Sequence, residues 1–246
     1  MDEEWAALHL LPLFDWQSSE VEASTAWEGF LWSPRLYRPL LSAIKQHFLD
    51  TASHYRRLGK HAEQFAAFLT FAALDPGDTF TTEELAKATS KLPAEGLQSA
   101  AQALTRALEG AGEQRGVYWR NRILPYIKAI WPKSREVITP AISSHLARLC
   151  IGVHEAFPEA VAELRHWLQP VEHPDYLVRL LNEAKLCEQF PENSLELLDA
   201  VISETAQWVP RELRQCLDDI SNIDDSLAND ARFIRLLELC QRRAIV

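Results

Sequence analysis

Glu155-Ala156-Phe157-Pro158-Glu159 recurs 33 residues downstream as Glu188-Gln189-Phe190-Pro191-Glu192. The match continues past the proline, Glu163 pairing with Glu196 and Leu164 with Leu197. Each part has a mechanical reading. The aromatic closes one helix onto the core. The proline opens the next helix, where a missing N–H costs nothing. The leucine then faces the same groove. A period near 33 residues is that of stacked helical hairpins, because one hairpin cannot bury its apolar face alone. Trp131-Pro132-Lys133 is a looser upstream match. The sequence therefore predicts an all-α protein. Residues 133–246 are expected to form a helical-repeat-like superhelix of stacked hairpins, and residues 1–132 a looser helical bundle.

Helical periodicity supports this beyond the repeat. Tyr37, Leu40, Leu41, Ile44, Phe48 and Tyr55 recur on one helical face, at spacings built from threes and fours, as do Leu146, Leu149, Cys150, Val153 and Phe157. Leu177, Leu180, Leu181 and Ala184 repeat the pattern, and Phe233, Leu236, Leu237 and Cys240 follow it near the end. Helix starts are marked by Ser18 or Ser19, by the Thr81…Glu84 capping box, and by Pro34, Pro93, Pro158, Pro174, Pro191 and Pro210. Pro39 and Pro125 interrupt apolar stretches and predict a kink, a break or an early helical turn. Only Val117-Tyr118-Trp119 reads as a short strand, and Glu109–Gly116 reads as an exposed loop. All eight glycines lie at or before Gly152, which predicts a stiffer second half.

Composition narrows the function classes. With 47% apolar and 24% charged residues, the 246-residue chain can bury a core and is not expected to be disordered. The formal charge is −10, and both halves are acidic, with 13 basic and 16 acidic residues through Pro132 and 12 and 19 after it. Broad nucleic-acid binding is therefore disfavoured. Cys150, Cys187, Cys216 and Cys240 lie 37, 29 and 24 residues apart with no CxxC pair, and read as reduced thiols of a cytoplasmic protein. Asp2, Glu3 and Glu4 have the wrong sign for a signal peptide, and no segment suits a bilayer span. The apolar stretch Trp5–Phe14 reads as one that docks on something, as it would in a fragment of a longer protein.

No catalytic, cofactor-binding or metal-binding residues are predicted. His47, His54 and His61 are spaced by seven, not by the four of a helical metal site. His166, Glu172 and His173 flank Pro170 without a nucleophile. Asp218, Asp219, Asp224, Asp225 and Asp230 lack the ligand spacing and central glycine of a calcium loop, and read as helix caps. Phosphate-binding glycine loops and the GxSxG elbow are absent. Residues 79–131 have the order of a winged helix, but the longer helix carries only Arg106 as a cation. Phe14, Trp16, Trp27, Phe30 and Trp32 concentrate rings near the start. They read as core, or as anchors docking a protein partner or an adjacent domain.

Leu13-Phe14-Asp15-Trp16, Glu22-Ala23 and Trp27-Glu28-Gly29-Phe30-Leu31-Trp32-Ser33-Pro34-Arg35-Leu36 form a distinctive string. With Trp119, Ile130-Trp131-Pro132 and Phe157-Pro158, it resembles an uncharacterised helical domain. That domain closes large bacterial anti-phage defence proteins that open with a sirtuin-like, NAD-consuming domain. The resemblance implies sensing an invader, or holding or assembling an effector. It brings no catalytic residues, and NAD chemistry would belong to the separate domain. The expected function is thus a non-catalytic scaffold, sensor or regulatory module. The alternatives are an enzyme with an unrecognised helical site near His47, His54 and Glu63, or a winged-helix nucleic-acid binder.

Overall fold

The structure, a computed structural model, describes residues 9–35, 37–75, 77–205 and 209–243. It is all-α, with no strand among the described residues. The chain divides into two compact units, one comprising residues 1–104 and 120–134, the other 105–119 and 135–246. Residues 5–8 of the greasy N-terminal stretch lie outside the described residues.

The first unit begins with a 3₁₀ turn, Leu11–Phe14, and helix α1, Glu20–Trp32. Ser19 caps α1 by accepting from the Glu22 amide at 3.3 Å. Helices α2 (Arg38–Ala43) and α3 (Lys45–Thr51) follow, then a 3₁₀ segment over Ala52–His61 and α4, Ala62–Leu74. Gly59 breaks the 3₁₀ segment at φ 53°, ψ −124°, a conformation that needs glycine. Helix α5, Thr82–Thr89, carries the predicted capping box: the Glu84 amide donates to Thr81 Oγ1 at 3.2 Å and the Thr81 amide to Glu84 Oε2 at 2.8 Å.

The expected stripe through Tyr37 does not hold along its length. Leu41, Ile44, Phe48 and Tyr55 are buried, but Tyr37 and Leu40 are 62% and 38% exposed. The cause is local. Tyr37 is extended ahead of α2, Pro39 sits in that helix's first turn, and Ile44 at ψ 10° separates α2 from α3. Pro34 precedes no helix directly; Pro39 opens α2 instead.

Helix α6, Ala94–Gly110, leads from the first unit into residues 105–119. The expected loop at 109–116 is mostly helical: a 3₁₀ turn over Gly112–Gln114 runs into α7, Arg115–Tyr118. Val117-Tyr118-Trp119 is not a strand either, since a π-helical turn over Trp119–Ile123 continues from α7. No wing therefore accompanies the helices of 79–131. Helix α8, Leu124–Ala129, takes Pro125 in its first turn.

The second unit holds three successive helix–turn–helix segments. The first is α9 (Pro140–Gly152) and α10 (Phe157–Leu164). The second is α11 (Asp175–Glu183), a short α12 (Leu186–Gln189) and α13 (Pro191–Val201). The third is α14 (Leu213–Ile223) and α15 (Ala231–Arg243). Helix α9 touches α11, which touches α14; α10 touches α13, which touches α15. Pro158 and Pro191 sit in the first turns of α10 and α13, as the repeat requires. The two repeat phenylalanines meet, with ring centroids 6.1 Å apart. Positive-φ residues, His154 and Lys185, turn the chain ahead of each.

The aspartates of the last segments act as caps and pairs. Asp224 accepts from the Ser226 amide, and Asp230 holds the Arg232 guanidinium at 2.7–3.0 Å. Cys150, Cys187 and Cys216 are buried, Cys240 is half-buried, and all four are free thiols. Burial keeps the Cys150 thiol protonated, raising it far above the ordinary range.

Candidate functional site

The aromatic string at the start of the chain contributes Trp16, Ala23, Trp27 and Leu31 to the first unit's core. Trp27 has no exposed surface. Its ring meets Phe14 at 4.9 Å, Phe30 at 5.6 Å, Phe65 at 6.2 Å and Phe48 at 6.3 Å. Its indole N–H donates to the Phe14 carbonyl at 3.2 Å, so the buried donor is satisfied. Trp16 is buried too, donating to Thr51 Oγ1 at 2.8 Å, and that hydroxyl donates in turn to the His47 carbonyl. Phe14 and Phe30 are half-buried, and Phe30 also meets Phe68 at 5.5 Å.

Trp32 stands apart from the other four. It lies in the last turn of α1 and is 74% exposed. Beside it a polar group is organised. Glu28, one turn earlier, sits 2.8 Å from Lys60 Nζ and 3.5 Å from His61 Nε2. Lys60 first, then His61, holds the Glu28 carboxyl below the usual carboxylate range. His61 is 7% exposed, its Nε2 makes no hydrogen bond, and its ring lies 6.4 Å from Trp32. Nearby in sequence, Tyr37 and Leu40 add exposed apolar surface, and Arg38 pairs with Asp75 at 3.2 Å. The arrangement offers an aromatic anchor flanked by charges, the composition of a contact surface.

His47 and His54 line one cleft of about 190 Å³ together with Asp15, Asp50, Trp16 and Ser53. Glu63 is not among its lining residues; it stands on the exposed first turn of α4. His54 stacks on Trp16 at 4.9 Å, with the rings 19° from parallel. Burial, then the Arg57 charge, holds its imidazole below the ordinary value of 6.5. Asp15 is held down first by the Ser18 hydroxyl, 2.6 Å from Oδ2. That serine is thus committed to a carboxylate and not to an imidazole. Among the described residues, no group of three histidine, cysteine or acidic side chains could hold a metal ion.

No family model matches the chain, and no solved structure matches it. It is similar to an uncharacterised protein of Sinorhizobium fredii, y4cA, at 25% identity over 130 residues. The match covers 52% of this chain and 11% of that protein, so the chain spans only a small part of the relative's length. Among the described residues, no helix is long and apolar enough to cross a membrane.

Proposed function

We propose that the chain is a non-catalytic helical contact module that holds another domain of the same polypeptide, as the C-terminal part of a bacterial anti-phage defence protein would hold its effector. The observation that carries this reading is Trp32, 74% exposed within a string whose other rings are buried or half-buried. An isolated exposed apolar residue is ordinary, but Trp32, Tyr37 and Leu40 place three within nine positions. The length of the relative supports a neighbouring domain as the occupant, since the similar stretch is 11% of that protein. The three helix–turn–helix segments of the second unit are consistent with a scaffold role, which a stack of hairpins would serve by offering an extended surface for contact.

The test is calorimetric titration of this chain with the remaining segment of its native gene product. Trp32→Ala with Tyr37→Ala should weaken that binding by about a hundredfold, as paired hot-spot truncations do. The double variant should keep its helicity by circular dichroism. A native gene ending with this chain alone, or unchanged affinity, would defeat the reading.

A further inference from the structure

Three clefts adjoin on the surface of the first unit. The cleft of His47 and His54 shares Ser53 and His54 with a second, of about 360 Å³. The second shares Lys91 with a third, which also holds Lys87. The second cleft is the anomaly. Arg56, Arg57 and Lys91 line it beside Ser53, His54 and Tyr55, and no carboxylate does. Three cations thus gather in one concavity of a chain whose net charge is −10.

We propose that this cleft binds a small soluble phosphoanion, through a phosphoryl or diphosphoryl group held by Arg56, Arg57 and Lys91. The cations come from two elements: the arginines from the 3₁₀ segment Ala52–His61, and the lysine from the turn after α5. Two guanidinium groups can each present paired N–H donors to phosphate oxygens, and the ammonium adds a point charge. The volume falls within the range of small-ligand sites. The floor is firm. Tyr55 is 5% exposed, and a Cβ placed on Gly96 of α6 would meet its ring at 3.1 Å.

The carboxylates that pair with the arginines are not part of the wall. Glu20 lies 3.1 Å from Arg57 and Glu95 lies 3.9 Å from Arg56, with all four side chains at least 47% exposed. Exposed pairs of this kind contribute little and can give way to a dianion. His54 reports on the same field. After burial, Arg57 and more weakly Lys91 oppose its protonation, while Asp50 and Glu20 favour it. Asp15 and His47 complete the titratable groups around it in the adjoining cleft. A bound anion offsets the cations, so occupancy should raise the pKa of His54.

The experiment is calorimetry on the full chain at low salt, with inorganic pyrophosphate and adenosine triphosphate as probes and chloride as control. Saturable binding of either probe is expected. Arg57→Ala and Lys91→Ala should each weaken it by about tenfold, whereas Arg179→Ala in the second unit should not. Proton NMR should show the His54 titration moving upward on saturation while that of His145, in the second unit, stays put. A stronger response to the nucleotide would assign a nucleotide-borne group, and an equal response the phosphoryl group alone. Vesicles of phosphatidic acid in phosphatidylcholine separate a lipid headgroup from a free phosphate. No saturable binding at millimolar probe would overturn the proposal. So would equal loss in Arg179→Ala, or binding to vesicles that neither cleft variant weakens.

Discussion

The first unit closes around rings, whereas the second closes around the aliphatic faces of successive hairpins. In the first, Trp27 alone meets four phenylalanines, and Phe48 meets Phe65, Phe68 and Phe80 at 5.4–5.8 Å. In the second, Ile142, Leu146, Leu149, Val161, Leu164, Leu195 and Leu198 are buried beside Trp119, Phe157 and Trp167, and the Phe157–Phe190 contact joins the two matched junctions. Rings are large, and the indoles need partners for their N–H groups. The backbone accommodates them through short helices, a ten-residue 3₁₀ segment and the Gly59 break. Branched aliphatic side chains make fewer demands and tolerate a repeated plan. The irregular unit is also the one whose surface carries the exposed tryptophan and the adjoining clefts.

The sharpest way to break this contrast is at Trp27. Trp27→Ala removes a fully buried ring and should cost about 3–5 kcal/mol, measured by chemical denaturation. A loss near 1 kcal/mol would mean that the ring cluster is not what holds the first unit. Phe157→Ala tests the second unit. Phe157 is fully buried and Phe190 half-buried, so the first truncation should cost more than the second. The double variant should reveal a coupling of about 0.5–1.5 kcal/mol, the worth of an aromatic pair. Strict additivity would show that the junctions do not support one another.

The smallest expected effect concerns pH. Burial first, then Arg148 and Arg106, holds the His145 imidazole below 6.5. The unfolded chain therefore binds the proton more readily. Stability from this group is complete above the unfolded value and declines as pH falls through it toward the folded one. His145→Gln should flatten the stability profile just below the ordinary value of 6.5, by a fraction of the roughly 1.4 kcal/mol per pH unit that one proton can contribute. His54, shifted the same way in the first unit, should retain its slope. An unchanged profile in His145→Gln would contradict the shift.

Much of the helical plan was legible because it rests on local chemistry. Ser19, Thr81 with Glu84, Pro158 and Pro191 all sit where capping and first-turn rules put them. Tyr37 and Leu40 misled because a period in sequence does not say where a helix stops; the break at Ile44 leaves them outside. Val117-Tyr118-Trp119 looked like a strand by residue type alone, and its helical neighbours outweighed that preference. The five-residue aromatic set was visible, but the division of core from surface was not. Trp27 and Trp32 are indistinguishable in sequence, and five positions on a helix turn one in and the other out. The cationic cleft left no mark, because Lys91 reaches Arg56 and Arg57 only through the fold.

A contact role for this chain requires that the surface around Glu28, Trp32, Tyr37 and Leu40 be covered in the native polypeptide. Hydrogen–deuterium exchange, comparing this chain alone with the product of its native gene, measures that cover. Added protection at residues 28–41, with none at the α9–α10 hairpin, is the predicted result. Identical exchange in the two samples, or protection confined to the hairpins, would contradict it.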